Sequence, residues 1–218
     1  MKVSDYIGRY WAGAEVMYGI IIAMTFTCMV RTQLAGRGYI LDKVILAALL
    51  CCAAWGIADG LFYVWERDYI LIRENRIIGA ARNGVQDDSL RDLIGEELDD
   101  TILRTIPPAH RAGLYDQLIR YLSTLDTREK LTAGDAGIIV CGTFLLSTMA
   151  GLLLVLPFFF ITDVRTALIL SNLIGILLLF SIGYSRAAGR EVLSRLRFGL
   201  ATSCVGIVIA GMTVVLGG

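Results

Sequence analysis

The sequence predicts an all-α polytopic membrane protein with five transmembrane helices and a small helical cytoplasmic insertion between helices 2 and 3. Three observations predict it. Of the 218 residues, 56% are hydrophobic, and the mean hydropathy of +0.66 suits a chain solvated by lipid rather than one wrapped around a single core in water. Five stretches reach the roughly 20 mostly apolar residues that a helix needs to cross the hydrocarbon: 12–30, 44–65, 136–161, 166–185 and 198–216. None of them alternates with the two-residue period of a membrane barrel strand. The charged residues, finally, concentrate in one long segment, which divides the chain into 1–66 (helices 1 and 2), 67–134 (the insertion) and 135–218 (helices 3 to 5).

Lysine and arginine set the orientation. Lys2 and Arg9, ten basic residues between Glu66 and Lys130, and Arg186, Arg190, Arg195 and Arg197 fall on one side, 16 of the 20 in the chain. Only Arg31, Arg37, Lys43 and Arg165 fall on the other. The amino terminus and the insertion are therefore expected in the cytoplasm and the carboxyl terminus on the opposite side. Residues 1–11 hold Asp5 and Arg9 without a separate short apolar core, so the first span is expected to be its own uncleaved insertion signal.

Span one carries Glu15, Tyr18 and Gly19, followed by Met24, Thr25, Thr27 and Cys28. Met17, Met24 and Cys28 recur at helical spacing and lay a sulfur stripe along one face. Packing explains such a stripe, and a thioether path for a metal ion is the sharper alternative. The two threonine hydroxyls can bond back to their own helix.

Span two reads AAWGIADGLFYVWE over 53–66. An ionised aspartate in mid-helix costs roughly 2.5–3.5 kcal/mol on insertion scales, which makes Asp59 a functional candidate. Trp55, Asp59, Phe62 and Glu66 share a face, and Cys52 lies two turns earlier on it. Gly56 and Gly60 form a small-xxx-small pair that admits a second helix closely. If span one enters from the cytoplasm, Glu15 lies one turn inside. Span two returns at Trp65, so Asp59 lies about 9 Å deep at 1.5 Å per residue. The two carboxylates are expected to share one site.

In the insertion, the helix of span two continues towards a turn at Asn83-Gly84. Ser89 and Asp92 have capping-box spacing for a helix beginning at Ser89, which Pro107-Pro108 ends. A further helix, 109–125, is expected to set Leu114, Leu118, Ile119 and Leu122 against Leu93, Ile94, Leu98, Ile102 and Leu103. Asp88, Asp92, Glu96, Asp99 and Asp100 make the first of these helices acidic along one side. That is either a solvated face, with acids favoured near a helix amino terminus, or a collecting surface for divalent cations. His110 carries no expected ligand role.

Span three runs to Pro157 and FFFI, and a tight turn at Asp163–Arg165 makes spans three and four an antiparallel hairpin. Ser171 and Asn172 are positioned to hydrogen-bond another helix. In span five, Gly199, Ser203, Gly206 and Ala210 form a smooth stripe for close packing, within the chain or across a dimer. All five cysteines lie in predicted spans as packed thiols, and no CxxC pair occurs. No nucleophile-base pair, phosphate-binding glycine loop or HExxH motif is present, which argues against an enzyme. The membrane orientation accounts for the basic residues, so no nucleic-acid partner is expected.

Four stretches resemble the vacuolar iron transporter family in its prokaryotic branch: EVMYGIIIAMTFT (15–27), AAWGIADGLFYV (53–64), LPFFFITDVRTALILSNLIGILLLFSIGY (156–184) and VVLGG (214–218). Together they touch every span except part of the third. The resemblance implies a homodimer that moves ferrous iron or manganese out of the cytosol against protons, with Glu15 standing for the family's acid in span one. It implies no permanently bound cofactor, the metal being cargo. The chain departs from the family in placing its Asp-Gly pair, Asp59-Gly60, in span two, and in having Cys51 and Cys52 as the nearest sulfur donors where the family has a methionine.

The expected function is therefore a divalent-metal transporter coupled to protons. Carboxylates at Glu15 and Asp59 would take protons when empty and release them to metal, because ligation needs the deprotonated form. Tyr18, Met24, Cys52 and Glu66 complete the expected path, and the metal-contacting set is Glu15, Asp59, Asp92, Glu96, Asp99 and Asp100. The alternative is a membrane-anchored interaction or regulatory module acting through its cytoplasmic helices, with Asp59 structural.

Overall fold

The computed structural model describes residues 3–33, 38–84, 87–98, 102–127 and 130–216, and every regular element among them is helical. In chain order these are α1 (Val3–Gln33), α2 (Gly38–Arg82), α3 (Asp87–Leu98), a 3₁₀ turn (Ile102–Thr105), α4 (Pro108–Leu122), α5 (Ala133–Val155), the single turn α6 (Pro157–Phe160), α7 (Val164–Arg186) and α8 (Val192–Leu216). Among the described residues, four segments are long and apolar enough to cross a membrane: Trp11–Cys28, Asp42–Arg82, Ala133–Phe160 and Val164–Arg186.

The chain divides into two compact units, Met1–Val64 with Ala133–Gly218, and Trp65–Thr132. The boundaries fall two residues earlier on each side than the sequence division at 66/67 and 134/135.

The first unit is inside-out relative to a water-soluble protein. Leu50, Leu61, Leu145, Ile169, Leu177 and Leu200 are exposed, whereas Glu15, Thr143, Ser147 and Ser171 are fully buried. Only an apolar solvent makes that distribution favourable, so the unit is built for a lipid bilayer. Its interior is a cluster of Ile20, Ala23, Met24, Cys52, Ala150, Leu154 and Leu179.

Small residues set the helix spacing. A Cβ on Gly56 would lie 2.8 Å from the Phe144 Cα, and one on Gly60 would lie 2.7 Å from the Val140 Cα, so these glycines close α2 against α5. The stripe on α8 closes against α7 of the same chain. Gly199 faces Phe180, Gly206 faces Leu179, and the Ser203 hydroxyl donates to the carbonyls of Gly199 at 3.0 Å and Ile176 at 3.3 Å. Cys28 and Asn172 join α1 to α7 at 3.4 Å.

Pro157 ends α5, and one more turn carries the chain to Asp163. There the carboxylate caps α7 by accepting from the Thr166 amide at 3.0 Å and from its hydroxyl. These bonds hold the Asp163 carboxyl below its ordinary range.

In the second unit, α2 ends at Arg82 and turns through Asn83 and Gly84, whose φ of +64° suits glycine. The core is Ala81, Leu90, Ile94 and Tyr115, flanked by Leu98, Leu103, Leu118, Ile119 and Leu122. Three local expectations differ from the structure. α3 begins at Asp87, so Ser89 lies within its first turn rather than before it. The helix expected to run from Ser89 to the proline pair ends at Leu98, and a 3₁₀ turn at Ile102–Thr105 precedes Pro107, the N-cap of α4, with Pro108 in the first turn, where proline's fixed φ and missing amide fit. Leu114 is exposed and its neighbour Tyr115 takes the core position, one residue round the helix from the expected face.

Candidate functional site

Helices α1 and α2 pack antiparallel, and the register is readable from four consecutive contacts. Trp11 meets Tyr63 edge to face, with ring centroids 5.3 Å apart. One turn on, Glu15 faces Asp59. The next level brings Tyr18 to Trp55 at 6.3 Å, again edge to face, and Cys52 donates its thiol to the Gly19 carbonyl at 3.5 Å. The first three levels are about one turn apart on both helices, and the Cys52–Gly19 bond lies a further turn along α2 beside Tyr18. The two carboxyls therefore lie between two aromatic pairs.

Glu15 is fully buried, with 0% exposure, and neither of its carboxyl oxygens has a hydrogen-bond partner. Asp59 is half-buried and lies within hydrogen-bonding reach of Glu15; two ionised carboxylates are both acceptors, so only a proton held by one of them can bridge the pair. Among the described residues, neither carboxyl is in an ion pair. A buried carboxyl normally has its lone pairs filled, since leaving one unsatisfied costs about 1–3 kcal/mol or more. An acceptor pair left open beside a second acid is chemically a receptor for a proton or a cation.

The third wall is α5. Gly60 faces Thr143 and Gly19 faces Ser147 across close approaches. The Thr143 hydroxyl is used on its own helix, bonding the carbonyls of Ile139 at 3.1 Å and Val140 at 3.0 Å. Ser147 is fully buried and its hydroxyl has no partner.

The remaining sequence-predicted residues divide between the units. Met24 is fully buried in the first unit's core, where its sulfur fills the space left by Gly175 and Gly206. Met17 accepts from an Arg186 nitrogen at 3.5 Å. With Cys52 bonded to Gly19, these sulfurs are engaged in packing and hydrogen bonding. Glu66 is exposed in the second unit. Asp92 and Glu96 are exposed on α3, while Asp99 and Asp100 lie outside the described residues. Among the described residues, no three His, Cys, Asp or Glu side chains converge on one ion position.

Sequence reasoning missed Trp11, Tyr63 and Ser147. An aromatic residue near the end of a span reads as an interfacial anchor, and a serine in a span reads as helix glue. Their positions beside the acids emerge only from the register.

Comparison with family models, with characterised proteins and with solved structures finds no match to this chain.

Proposed function

We propose that the protein is a divalent transition-metal transporter that moves iron or manganese out of the cytosol in exchange for protons, using Glu15 and Asp59 as the exchange site. The observation that carries this reading is the Glu15 carboxyl, fully buried in a membrane bundle with no donor from elsewhere in the protein on either oxygen and with Asp59 beside it. Two acids in an apolar surround repel each other when ionised, and two protons or one divalent cation neutralise the pair. Binding one therefore releases the other. Two carboxyls fill only part of a metal ion's coordination shell. The remaining positions would go to water, to Ser147, or to donors from a second copy of the chain in a homodimer.

In this reading α8 is the fifth span, the amino terminus and the 67–134 insertion are cytoplasmic, and the acidic face of α3 collects cargo. The test is uptake into proteoliposomes containing a metal-sensitive dye and a pH-sensitive dye. Glu15→Gln and Asp59→Asn are each expected to lower metal flux at least tenfold and to abolish the accompanying proton movement. Wild-type rates in both variants would remove the pair from the mechanism.

A second reading, an interaction module, is favoured by one feature of the second unit. An apolar groove of ≈ 450 Å³, lined by residues including Ile77, Ile94, Leu118 and Leu122, opens on its surface. If metal flux is absent while the second unit captures a partner helix, this reading replaces the first.

A further inference from the structure

The geometry points to a binding site for an anionic phospholipid at the arginine-rich end of the first unit, between residues 13–17 of α1, the end of α7 and the first half of α8. A groove of ≈ 740 Å³ lies there. Its body is apolar, formed by Val16, Met17, Ile182 and Phe198, and Arg186 and Arg190 stand on its lining. Among the described residues, no carboxylate lines it.

The charges are fixed in place rather than trailing in solvent. Arg190 follows Gly189, which has a φ of +91°, in a turn closed by the Arg190 amide on the Ala187 carbonyl at 3.1 Å. Its guanidinium lies 4.9 Å from the centre of the Phe198 ring. Arg195 stacks at 4.0 Å on Tyr184. Among the described residues, neither arginine has a carboxylate partner. Residues 186–197 hold four arginines against a single acid, Glu191, which is exposed and does not line the groove.

Depth and shape together select the occupant. The groove sits where the membrane-crossing segments Trp11–Cys28 and Val164–Arg186 begin and end, which is headgroup level. A headgroup phosphate at Arg186 and Arg190 leaves its acyl chain to run along Val16, Ile182 and Phe198. A free phosphate ion would use only the rim and leave the apolar body unfilled. Basic pockets between transmembrane helices suit anionic headgroups for this reason. The inference needs the membrane setting of the first unit and does not depend on what Glu15 and Asp59 carry.

Native mass spectrometry of the full-length protein, released from mild detergent, tests it. The probes are phosphatidylglycerol and phosphatidylcholine of matched chains, with inorganic phosphate as competitor. Wild type is expected to retain phosphatidylglycerol over phosphatidylcholine. Arg190→Gln should weaken that preference about fivefold, the effect of one basic residue near an anionic surface. Arg186→Gln with Arg190→Gln should erase it, and Arg190→Lys should preserve it. Arg197→Gln, outside the groove, should leave it unchanged. Equal retention of both lipids overturns the proposal, as does an equal loss in Arg197→Gln, which would mean diffuse attraction. Displacement of the lipid by inorganic phosphate would also overturn it, since the acyl chain would then contribute nothing.

Discussion

In the proposed exchange mechanism, Glu15 is the residue at which stability and function make opposite demands. A buried carboxyl with neither oxygen satisfied is a liability to the fold, and removing a buried polar group that lacks partners commonly stabilises a protein. Glu15→Met, of similar volume and apolar, is therefore expected to raise the stability of the detergent-solubilised protein by about 1–3 kcal/mol while abolishing transport. Thermal or denaturant unfolding measures the first and the proteoliposome assay the second. A fall in stability would mean that Glu15 holds α1 and α2 together, as in the interaction-module reading. The pair itself was legible in the sequence, because charge asymmetry fixed the expected depth of each acid and the depths agreed. Trp11 and Tyr63 were not legible as its neighbours. Their type is shared with every interfacial anchor, and only the antiparallel register, which runs through Tyr18–Trp55 and Cys52–Gly19, sets them one turn away.

At the level of elements, α2 and α5 are held together by the absence of side chains. At Gly60 a Cβ would run into Val140 and the Thr143 hydroxyl, neither of which can retreat without moving α5. Gly60→Leu is expected to destabilise the bundle by about 1–3 kcal/mol or more, the usual cost of overpacking. Gly137→Ala, on the same α5 but with open space around it, should be neutral or slightly stabilising because alanine is the better helix former. The paired unfolding measurement separates contact from propensity.

The hairpin between α5 and α7 makes a pH prediction. Asp163 is held below its ordinary pKa of 3.8 by the Thr166 hydroxyl and amide, so its ionised cap stabilises α7 fully above about pH 4 and is lost as pH falls through the lowered value. The stability difference between wild type and Asp163→Ala should accordingly be constant near neutrality and shrink in acid. A difference that grew in acid would contradict the cap. The positions of four spans and the Gly56/Gly60 contact surface were readable because hydropathy and small-xxx-small spacing are local signals. The boundary at Pro107-Pro108 was legible to within a residue, since the 3₁₀ turn stops at Thr105 and α4 starts at Pro108, whereas the end of α3 at Leu98 was not, because no proline or glycine marks it. Tyr115 displaced Leu114 for a similar reason: a short amphipathic helix with apolar residues on adjacent positions leaves its buried face uncertain by one residue.

For the whole molecule, the number of crossings decides which compartment receives the carboxyl terminus. Helix directions alternate through the first unit. α2 runs against α1, as Glu15 with Asp59 and Gly19 with Cys52 show, and α5 runs against α2, since Gly60 meets Val140 while Cys52 meets Gly151. α7 runs against α1, where Arg186 reaches Met17 and Asn172 reaches Cys28. α8 then returns along α7, with Phe198 and Thr202 at Gly183 and Ser203 bonded to Ile176. It has 25 residues, more than the roughly 20 needed to cross hydrocarbon, and Gly206 reaches Met24 in the middle of the bundle. A helix that deep beside a crossing helix has no route back to its starting side within the remaining described residues. We therefore expect α8 to cross as a fifth span. Reporters that distinguish cytoplasm from the far side, fused in turn to the two termini, are expected to place the amino terminus in the cytoplasm and the carboxyl terminus opposite, the arrangement that the arginine and lysine bias favours. Two termini on one side would make α8 a re-entrant helix.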